Sequence, residues 1–159
     1  MLRILLRSVL PLAALLAGPA ALAQGAGPAP VRVTVIVSEL GVAAERGRLE
    51  RTVAEAWAER LAVQGGVYGR ALDVDVVNDG GVPARAERLA QEAVDAGGHA
   101  LVCCSTADAS AAVGRLAAAA SLPLLSPTGA GAAEAAGWQF ALAPSETTEL
   151  QAAVRDVHA

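Results

Sequence analysis

Short runs of apolar residues alternate along this chain with stretches in which apolar residues recur every three or four positions. A continuous apolar run between glycine or small polar residues is typical of a buried strand, and the longer spacing is typical of an amphipathic helix. The two patterns follow one another from residue 31 to residue 127. They predict strands at 31–37, 72–77, 100–103 and 122–127, with helices near 43–64, 83–96 and 107–121 between them.

This alternation indicates the fold class. Parallel strands need a crossover of about a dozen residues, and helices in those crossovers cover the sheet. We therefore predict an α/β protein with a three-layer, doubly wound parallel sheet that carries helices on both faces. Ligands bind to such sheets outside the carboxyl ends of the strands. The loops that follow the strands are therefore the first place to look for a site.

Each predicted helix has an apolar side. In the first helix, one stripe is apolar and charged residues such as Glu50 and Arg51 fill the other positions, which is typical of a helix that packs its apolar side on a core. We expect Trp57 and Trp138 to pack in the core or at its rim rather than to serve as ligand platforms. The stripe of the first helix consists of Leu49, Val53, Trp57 and Leu61, and the other helices are predicted to bury Ala86, Leu89, Ala90, Ala93 and Val94, and Val113, Leu116, Ala117 and Ala120.

The amino terminus has the pattern of an export signal. Two arginines precede an apolar run at 9–16, and an A-x-A cleavage site ends at Ala23. This order predicts a signal peptide at 1–23, cleaved after Ala23, and hence a protein of the periplasm. The apolar run is too short to span a bilayer. Residues 24–30, rich in Gly, Pro and Ala, are expected to form a flexible leader.

The charge of the chain excludes several classes of function. The 159 residues carry a formal net charge of −4, and removal of the two arginines in the predicted signal leaves −6. An acidic balance argues against nucleic-acid binding, which needs a basic patch. All 12 basic residues are arginine. A conventional Walker-type phosphate loop and a Schiff-base enzyme both need a lysine, so neither is predicted.

An ordered set of motifs gives a further indication. The set consists of the turn Gly65-Gly66-Val67-Tyr68-Gly69-Arg70, the strand at 72–77, Asn78-Asp79, the helix start Pro83-Ala84-Arg85-Ala86, Ser105-Thr106, and Leu122-Pro123-Leu124-Leu125-Ser126-Pro127. Over roughly residues 31–150, this order resembles the first lobe of the periplasmic substrate-binding proteins of leucine/isoleucine/valine type. Those proteins deliver amino acids, amides or related small solutes to ABC importers. The resemblance implies a type 1 periplasmic-binding fold and a non-enzymatic, extracytoplasmic function.

The loop after the third strand is the first candidate site. Ser105 and Thr106 stand where a helix is predicted to begin, and the unpaired N–H groups and the dipole of a first helical turn suit a carboxylate. The resemblance implies that Ser105, Thr106 and Ala107 hold the carboxylate of the ligand with hydroxyls and backbone amides. The alternative is that Ser105 or Thr106 is simply the N-cap of the helix, because a cap uses the same geometry.

The loop after the fourth strand is the second candidate site. The resemblance implies that it offers backbone carbonyls and a hydroxyl, partly to the ammonium group of the ligand. Ser126 and Thr128 are the residues in question. The alternative is a simple turn at Ser126-Pro127.

The sequence departs from the family pattern at two places. Cys103-Cys104 stand where the family usually has Gly-Pro, and the loop at 38–47 lacks the usual Pro-Leu-Thr-Gly-type sequence. We expect Cys103 to be buried as a small hydrophobic residue and Cys104 to be partly exposed. A bridge between the two, or an intermolecular link, stays open as an alternative. Adjacent cysteines match no structural zinc pattern, so no metal site is predicted.

Enzymatic and cofactor functions are not supported. The pattern places no Ser or Cys beside His99 or His158, so no catalytic triad is predicted. The stretch at 129–134 superficially resembles a dinucleotide loop, but it lacks the third glycine and follows a late strand. Asp79 is interpreted as a turn residue. We expect no cofactor.

The length of the chain sets the predicted organisation. Residues 31–143 are expected to form a first ligand-binding lobe, with a crossover strand near 139–145, and residues 144–159 to begin a truncated second lobe. The predicted function is an extracytoplasmic solute-binding component of an ABC importer for branched-chain amino acids or related solutes, with a membrane permease as partner. The alternatives are a periplasmic sensory or interaction module made of one lobe, able to self-associate, or a non-functional gene fragment. A single lobe should bind its ligand weakly, because it cannot close around it.

Overall fold

The computed structural model of the chain describes residues 27–128 and 137–143, together with residues 151, 154 and 155. Its centre is a parallel sheet in the order β2-β1-β3-β4-β5. The strands are β1 (Val31–Val37), β2 (Leu72–Asn78), β3 (Ala100–Cys103), β4 (Leu124–Ser126) and β5 (Gln139–Ala141). The helices are α1 (Ala44–Val63), preceded by a 3₁₀ turn (Gly41–Ala43), α2 (Pro83–Asp95) and α3 (Ala107–Ala119).

The order of the strands creates a point at which the chain reverses direction across the sheet. From β1 the chain passes through α1 to β2 on one side, and then through α2 to β3 on the other side of β1. It continues in that second direction to β4 and β5. The reversal lies between β1 and β3, which pair directly with each other. In open parallel sheets, the crevice at such a switch point is where ligands bind.

The predicted elements are confirmed with small shifts at their ends. The bounds of β1 and β3 are those predicted, whereas β4 is shorter than the predicted strand at 122–127. Pro123 and Pro127 bracket β4, and proline cannot donate to the hydrogen bonds of a sheet. Val82 precedes α2 without a side-chain cap, and Pro83 occupies the first turn of that helix.

One face of the sheet is closely covered by α2 and α3. These helices bury their alanine-rich sides on the sheet, with Leu101 and Leu124 wholly inaccessible to solvent. Of the residues predicted to be buried on α3, Val113 and Ala117 are buried, whereas Ala120 is exposed. The core on this face comprises Ile36, Ala86, Ala90, Ala93, Leu101, Cys103, Cys104, Ala109, Val113, Ala117, Leu122 and Leu124.

The opposite face is covered only at one end by the described residues. Helix α1 packs on β1 and β2. A row of paired residues crosses this face from Val35 through Val102 and Leu125 to Phe140. Exposure rises along the row, from 7% at Val35 to 36% at Leu125 and 53% at Phe140. The predicted α/β fold with helices on both faces of a parallel sheet is thus confirmed, and within the described part of the chain α1 covers its face only at the β1 and β2 end.

The side of α1 that faces the sheet differs from the predicted one. Leu49 and Val53 are about half exposed or more, so the expectation that they pack on the core is wrong, whereas the half-exposed Trp57 lies at the rim, which was one of the two expectations for it. The helix instead turns Gly47 and Ala54 inward. Gly47 lies so close to the Ser38 backbone that a side chain would collide with it. Because Gly47 has no side chain, this side of α1 can approach the sheet closely. The bulky apolar stripe of α1 is therefore turned partly toward solvent.

The two cysteines are both buried, at the end of β3. Cys103 is buried as predicted, but Cys104 is also inaccessible, so the expectation of partial exposure is wrong. The two sulfur atoms of these neighbouring residues lie side by side, so a bridge between them stays the alternative that the sequence left open. The Cys104 backbone N–H donates to Ser110 Oγ at 3.0 Å, and this hydrogen bond holds Cys104 beside the first turn of α3.

Some predictions concern residues that the structure does not describe. The predicted signal peptide at 1–23 and the stretch at 129–134 lie outside the described residues, as do most residues of the predicted second-lobe segment at 144–159. Within the described part of the chain, no helix combines the length and the apolar character that a membrane crossing requires.

Candidate ligand site at the carboxyl edge of the sheet

The loops that follow β1 and β3 lie side by side at the switch point of the sheet. Ile36 pairs with Cys103 at the ends of the two strands. Just beyond this pair, the Ser38 backbone N–H donates to Ser105 Oγ at 2.9 Å. The parallel sheet therefore brings residues 67 positions apart in sequence into direct contact, and it places the start of α3 at this edge.

The amino end of α3 has backbone donors without a side-chain cap. Thr106 stands at the N-cap position with extended backbone angles, φ −128° and ψ 150°, but its side chain makes no capping hydrogen bond. The first bond of the helix runs from Ser110 N–H to the Thr106 carbonyl at 3.1 Å. Ala107 and Asp108 precede that donor, so their N–H groups belong to the unpaired first turn. The alternative that Thr106 caps the helix with its side chain is therefore not what the structure has.

Ser105 is almost fully enclosed, with 2% of its surface exposed. Its hydroxyl oxygen accepts the Ser38 N–H, and its hydroxyl proton is donated to the carboxylate of Glu50. Ser105 is thus not the capping residue either. Its hydroxyl links the loop after β3 to helix α1.

Glu50 is a half-buried carboxyl group on the side of α1 that faces the sheet. Burial raises the pKa of Glu50 above its ordinary value, and the nearby charge of Asp79 acts in the same direction. The hydrogen bond from Ser105 and the charge of Arg46 oppose this rise in pKa. The Arg46 guanidinium also lies 3.5 Å from the Ser105 carbonyl oxygen. A titratable carboxyl group therefore contacts Ser105, in the loop that precedes α3.

Two fully buried polar atoms at the ends of β1 and β2 have no hydrogen-bond partner among the residues that the structure describes. They are Ser38 Oγ and Asp79 Oδ2. The other carboxylate oxygen of Asp79 accepts the Gly81 N–H at 2.7 Å, and its backbone N–H donates to Val37 at 2.9 Å. Asp79 is therefore a turn residue, as interpreted from the sequence. It is also buried, and its charge contributes to the raised pKa of Glu50.

The loop after β1 is fixed to α1 by an ion pair. Arg51 Nε lies 2.7 Å from one carboxylate oxygen of Glu39, and Arg51 Nη2 lies 3.1 Å from the other. This hydrogen bonding holds the pKa of Glu39 below its ordinary value. Arg51 also donates to the Val76 carbonyl at 3.0 Å. The loop at 38–47 lacks the usual family sequence. The ion pair between Glu39 and Arg51 fixes its position on α1 instead.

The second predicted loop is tied to the first by a cluster of hydroxyl groups. Ser126 Oγ lies 2.6 Å from the Thr128 carbonyl oxygen and 3.0 Å from Ser110 Oγ. Thr128 Oγ1 lies 2.9 Å from Ser110 Oγ and 3.3 Å from the Cys104 carbonyl. Ser126 is inaccessible to solvent, whereas Thr128 is half-buried. Both hydroxyls are therefore engaged within the protein, and of the two residues Thr128 is the more exposed.

The five predicted site residues therefore share one edge of the sheet but differ in what they can offer. Thr106, Ala107 and Thr128 are half-buried, and Ser105 and Ser126 have their hydroxyls engaged inside the protein. Sequence reasoning missed Glu50 and Ser110. Ser110 could have been found, because it lies four residues after Thr106 and its side chain therefore returns to the start of an alanine-rich helix.

Comparison with protein families gives one match. The sequence matches the family model described as periplasmic binding protein over residues 30–158. A search of the curated proteins found no match.

Several solved structures share the fold. The substrate binding protein LivJ of a branched-chain amino acid transporter from Streptococcus pneumoniae, solved with isoleucine, is 24% identical, with a TM-score of 0.68 over 73% of this chain and 34% of that one. A putative branched-chain amino acid ABC transporter from Rhodospirillum rubrum is 21% identical, with a TM-score of 0.66 over 80% of this chain and 39% of that one. A leucine binding protein, LivK, from Thermotoga maritima is 17% identical, with a TM-score of 0.68 over 77% and 35% of the two chains. This chain thus spans little more than a third of these proteins, and the likeness concerns the fold.

Proposed function

Because this chain belongs to the periplasmic binding protein family, we propose that it is an extracytoplasmic solute-binding component of an ABC importer. The proposed ligands are branched-chain amino acids or related amides and small solutes, bound without covalent chemistry. Two of the similar structures are named as proteins of branched-chain amino acid transport, which supports this ligand class. The proposed binding surface is the carboxyl edge of the sheet, around Thr106, Ala107 and Thr128, with Ser105 and Ser126 supporting it from inside.

The uncapped amino end of α3 is the observation that carries this proposal. It lies at the switch point between β1 and β3, and its first N–H groups have no side-chain cap. Such a helix end attracts an anion through both its free donors and its dipole. A ligand carboxylate would therefore lie beside Thr106 and Ala107. The Thr106 hydroxyl, which caps nothing, is the nearest side-chain donor for it.

The proposed location is the periplasm. Export by the predicted signal at 1–23, with cleavage after Ala23, would bring the protein there, and a membrane permease would be its partner. Family membership supports an extracytoplasmic location. The cleavage site is a proposal that amino-terminal sequencing of the exported protein would test.

A titration with L-isoleucine tests the binding proposal. We expect the amide NMR signals of Thr106, Ala107 and Asp108 to shift most, with a dissociation constant of about 1 mM, because one open edge contacts only part of the ligand. Thr106→Val should weaken binding about tenfold, since it removes a hydrogen bond to a charged group worth about 1.5 kcal/mol. The matched control is Thr52→Val on the exposed side of α1, which should leave the affinity unchanged. Shifts centred elsewhere, or equal effects of the two substitutions, would contradict the proposed site.

A second candidate function follows from the part of the sheet surface that the described residues leave exposed beyond α1. Leu125 and Phe140 are exposed there, and on the same face Leu49 and Trp57 of α1 line an apolar groove that extends as far as Val102. Contiguous exposed apolar patches of this kind mark interaction surfaces. An interaction module that binds another chain through this face is therefore the alternative to a solute-binding protein.

Analytical ultracentrifugation separates the two functions. If the protein is an interaction module, its sedimentation coefficient should rise with protein concentration or on addition of a partner, and Phe140→Ser should abolish that rise. The matched control is Tyr68→Ser, because Tyr68 is an aromatic residue that is fully exposed away from this face. A monomer at all concentrations, together with the ligand titration described above, would favour the solute-binding function.

A further inference from the structure

We propose that Glu50 determines the specificity of this site, so that a ligand carboxylate binds at the amino end of α3 together with a proton on Glu50. This inference rests on the proposed function, because it concerns the same site. It assigns a role to a residue of α1, which no part of the sequence pattern connected with the ligand.

Ser105 has only one hydroxyl proton, and its hydrogen bond to Glu50 uses that proton. An ionised carboxylate can only accept hydrogen bonds, so the Ser105 hydroxyl must be the donor in this contact. The oxygen of Ser105 already accepts the Ser38 N–H at 2.9 Å. With Glu50 ionised, Ser105 therefore has no proton left for a ligand.

Protonation of Glu50 reverses this hydrogen bond. A protonated carboxyl group is a donor, and the Ser105 oxygen has two lone pairs, one for the Ser38 N–H and one for the Glu50 O–H. The Ser105 proton is then free to turn toward the loop. A ligand carboxylate at Thr106 could accept it, and the proton that allows this stays on Glu50.

The charges around Glu50 in the free protein act on its pKa in both directions. Arg46, on the same helix, lies beside the Ser105 carbonyl and offsets part of the negative charge. Asp79, after β2, adds to it. Asp108 is an exposed acid in the first turn of α3, and Glu39, after β1, is already paired with Arg51. A ligand carboxylate would add a further negative charge, which favours uptake of a proton by the half-buried Glu50.

Burial of Glu50 favours this uptake of a proton. Burial raises the pKa of Glu50 in the free protein, and a bound carboxylate would raise this pKa further. Affinity for a carboxylate ligand should therefore increase as the pH falls from neutral, by at most tenfold per pH unit for one proton. It should level off below the pKa of Glu50 in the free protein. A ligand without a carboxylate should not show this increase.

The test is a calorimetric titration of the whole protein with L-isoleucine and with isoleucinamide, which lacks the carboxylate, between about pH 5 and pH 7. We expect L-isoleucine to bind about tenfold more tightly at pH 5 than at pH 7, with uptake of close to one proton at pH 7. Glu50→Gln should bind L-isoleucine about tenfold more tightly than the natural protein at pH 7 and without pH dependence, because its amide can donate to Ser105. Isoleucinamide should bind with little pH dependence in both proteins.

Glu59→Gln is the matched control, since it makes the same change of charge on the exposed side of the same helix. It should keep the pH dependence of the natural protein. If L-isoleucine binds with the same pH profile to the natural protein and to Glu50→Gln, or with no proton uptake, the role of Glu50 is overturned and the proposed function stands. If neither protein binds L-isoleucine at any pH, both are overturned. Proton uptake by the natural protein, measured in two buffers of different ionisation enthalpy, needs no variant and decides the matter if Glu50→Gln does not fold.

Discussion

Leu101→Ala should lower the free energy of unfolding by about 3 kcal/mol, which is a large part of the stability of a domain of this size. Leu101 is central in β3, pairs with Thr34 and Leu124 on the neighbouring strands, and is inaccessible to solvent. Truncation removes the transfer free energy of the side chain and leaves a cavity between the sheet and its two covering helices, which cannot collapse to fill it. Urea denaturation followed by circular dichroism measures the effect.

Leu125→Ala is the matched control for this prediction. It is the same substitution on the adjacent strand, but Leu125 lies on the opposite face and is 36% exposed. We expect a loss below about 1 kcal/mol, because much of that side chain already contacts water. Equal losses for the two substitutions would contradict the view that one face is bare. They would mean that another surface covers Leu125 in solution.

Gly47→Ala should lower the free energy of unfolding by about 2 kcal/mol, although alanine favours helix formation over glycine by about 1 kcal/mol. A Cβ atom at Gly47 would lie 2.5 Å from the carbonyl carbon of Ser38, well inside van der Waals contact. The obstacle is backbone, which cannot rotate away, so α1 and the end of β1 must separate. We therefore expect the cost of the overlap to exceed the gain in helix propensity.

Thr52→Ala provides the comparison for Gly47→Ala. Thr52 is an exposed residue of the same helix, and its hydroxyl donates only to the Arg48 carbonyl of its own helix, at 3.0 Å. Its replacement should change stability by less than about 0.5 kcal/mol. A thermal or urea denaturation in which Gly47→Ala is as stable as Thr52→Ala would show that α1 does not approach Ser38 as closely as described.

The order of the elements could be predicted from the sequence because it depends on local patterns. β1 and β3 have the predicted bounds, since β1 alternates apolar and polar residues before it becomes continuously apolar and β3 is a continuous apolar run. The orientation of α1 could not be predicted, because two stripes compete on that helix. One is bulky and apolar, at Leu49 and Val53, and the other is small, at Gly47 and Ala54. Close approach of the backbone selected the small stripe, and hydrophobicity alone does not contain that information.

The position of the candidate site could also be predicted, whereas its hydrogen bonds could not. Ser105, Thr106 and Ser126 follow parallel strands, and such residues meet at one edge of the sheet. Which hydroxyls are available there depends on partners distant in sequence. Glu50 engages Ser105 across 55 positions, and no local pattern indicates a contact between them.

The cluster around Ser110 joins the two loops into one mechanical unit. The hydroxyl of this one side chain lies within hydrogen-bond distance of the Cys104 backbone N–H, of Ser126 Oγ and of Thr128 Oγ1. A displacement of either loop must therefore be accommodated by the other, or a buried hydroxyl loses its partners. Two groups that bind at the separate loops would consequently bind with positive cooperativity, since the first to arrive fixes the position of the loop that receives the second.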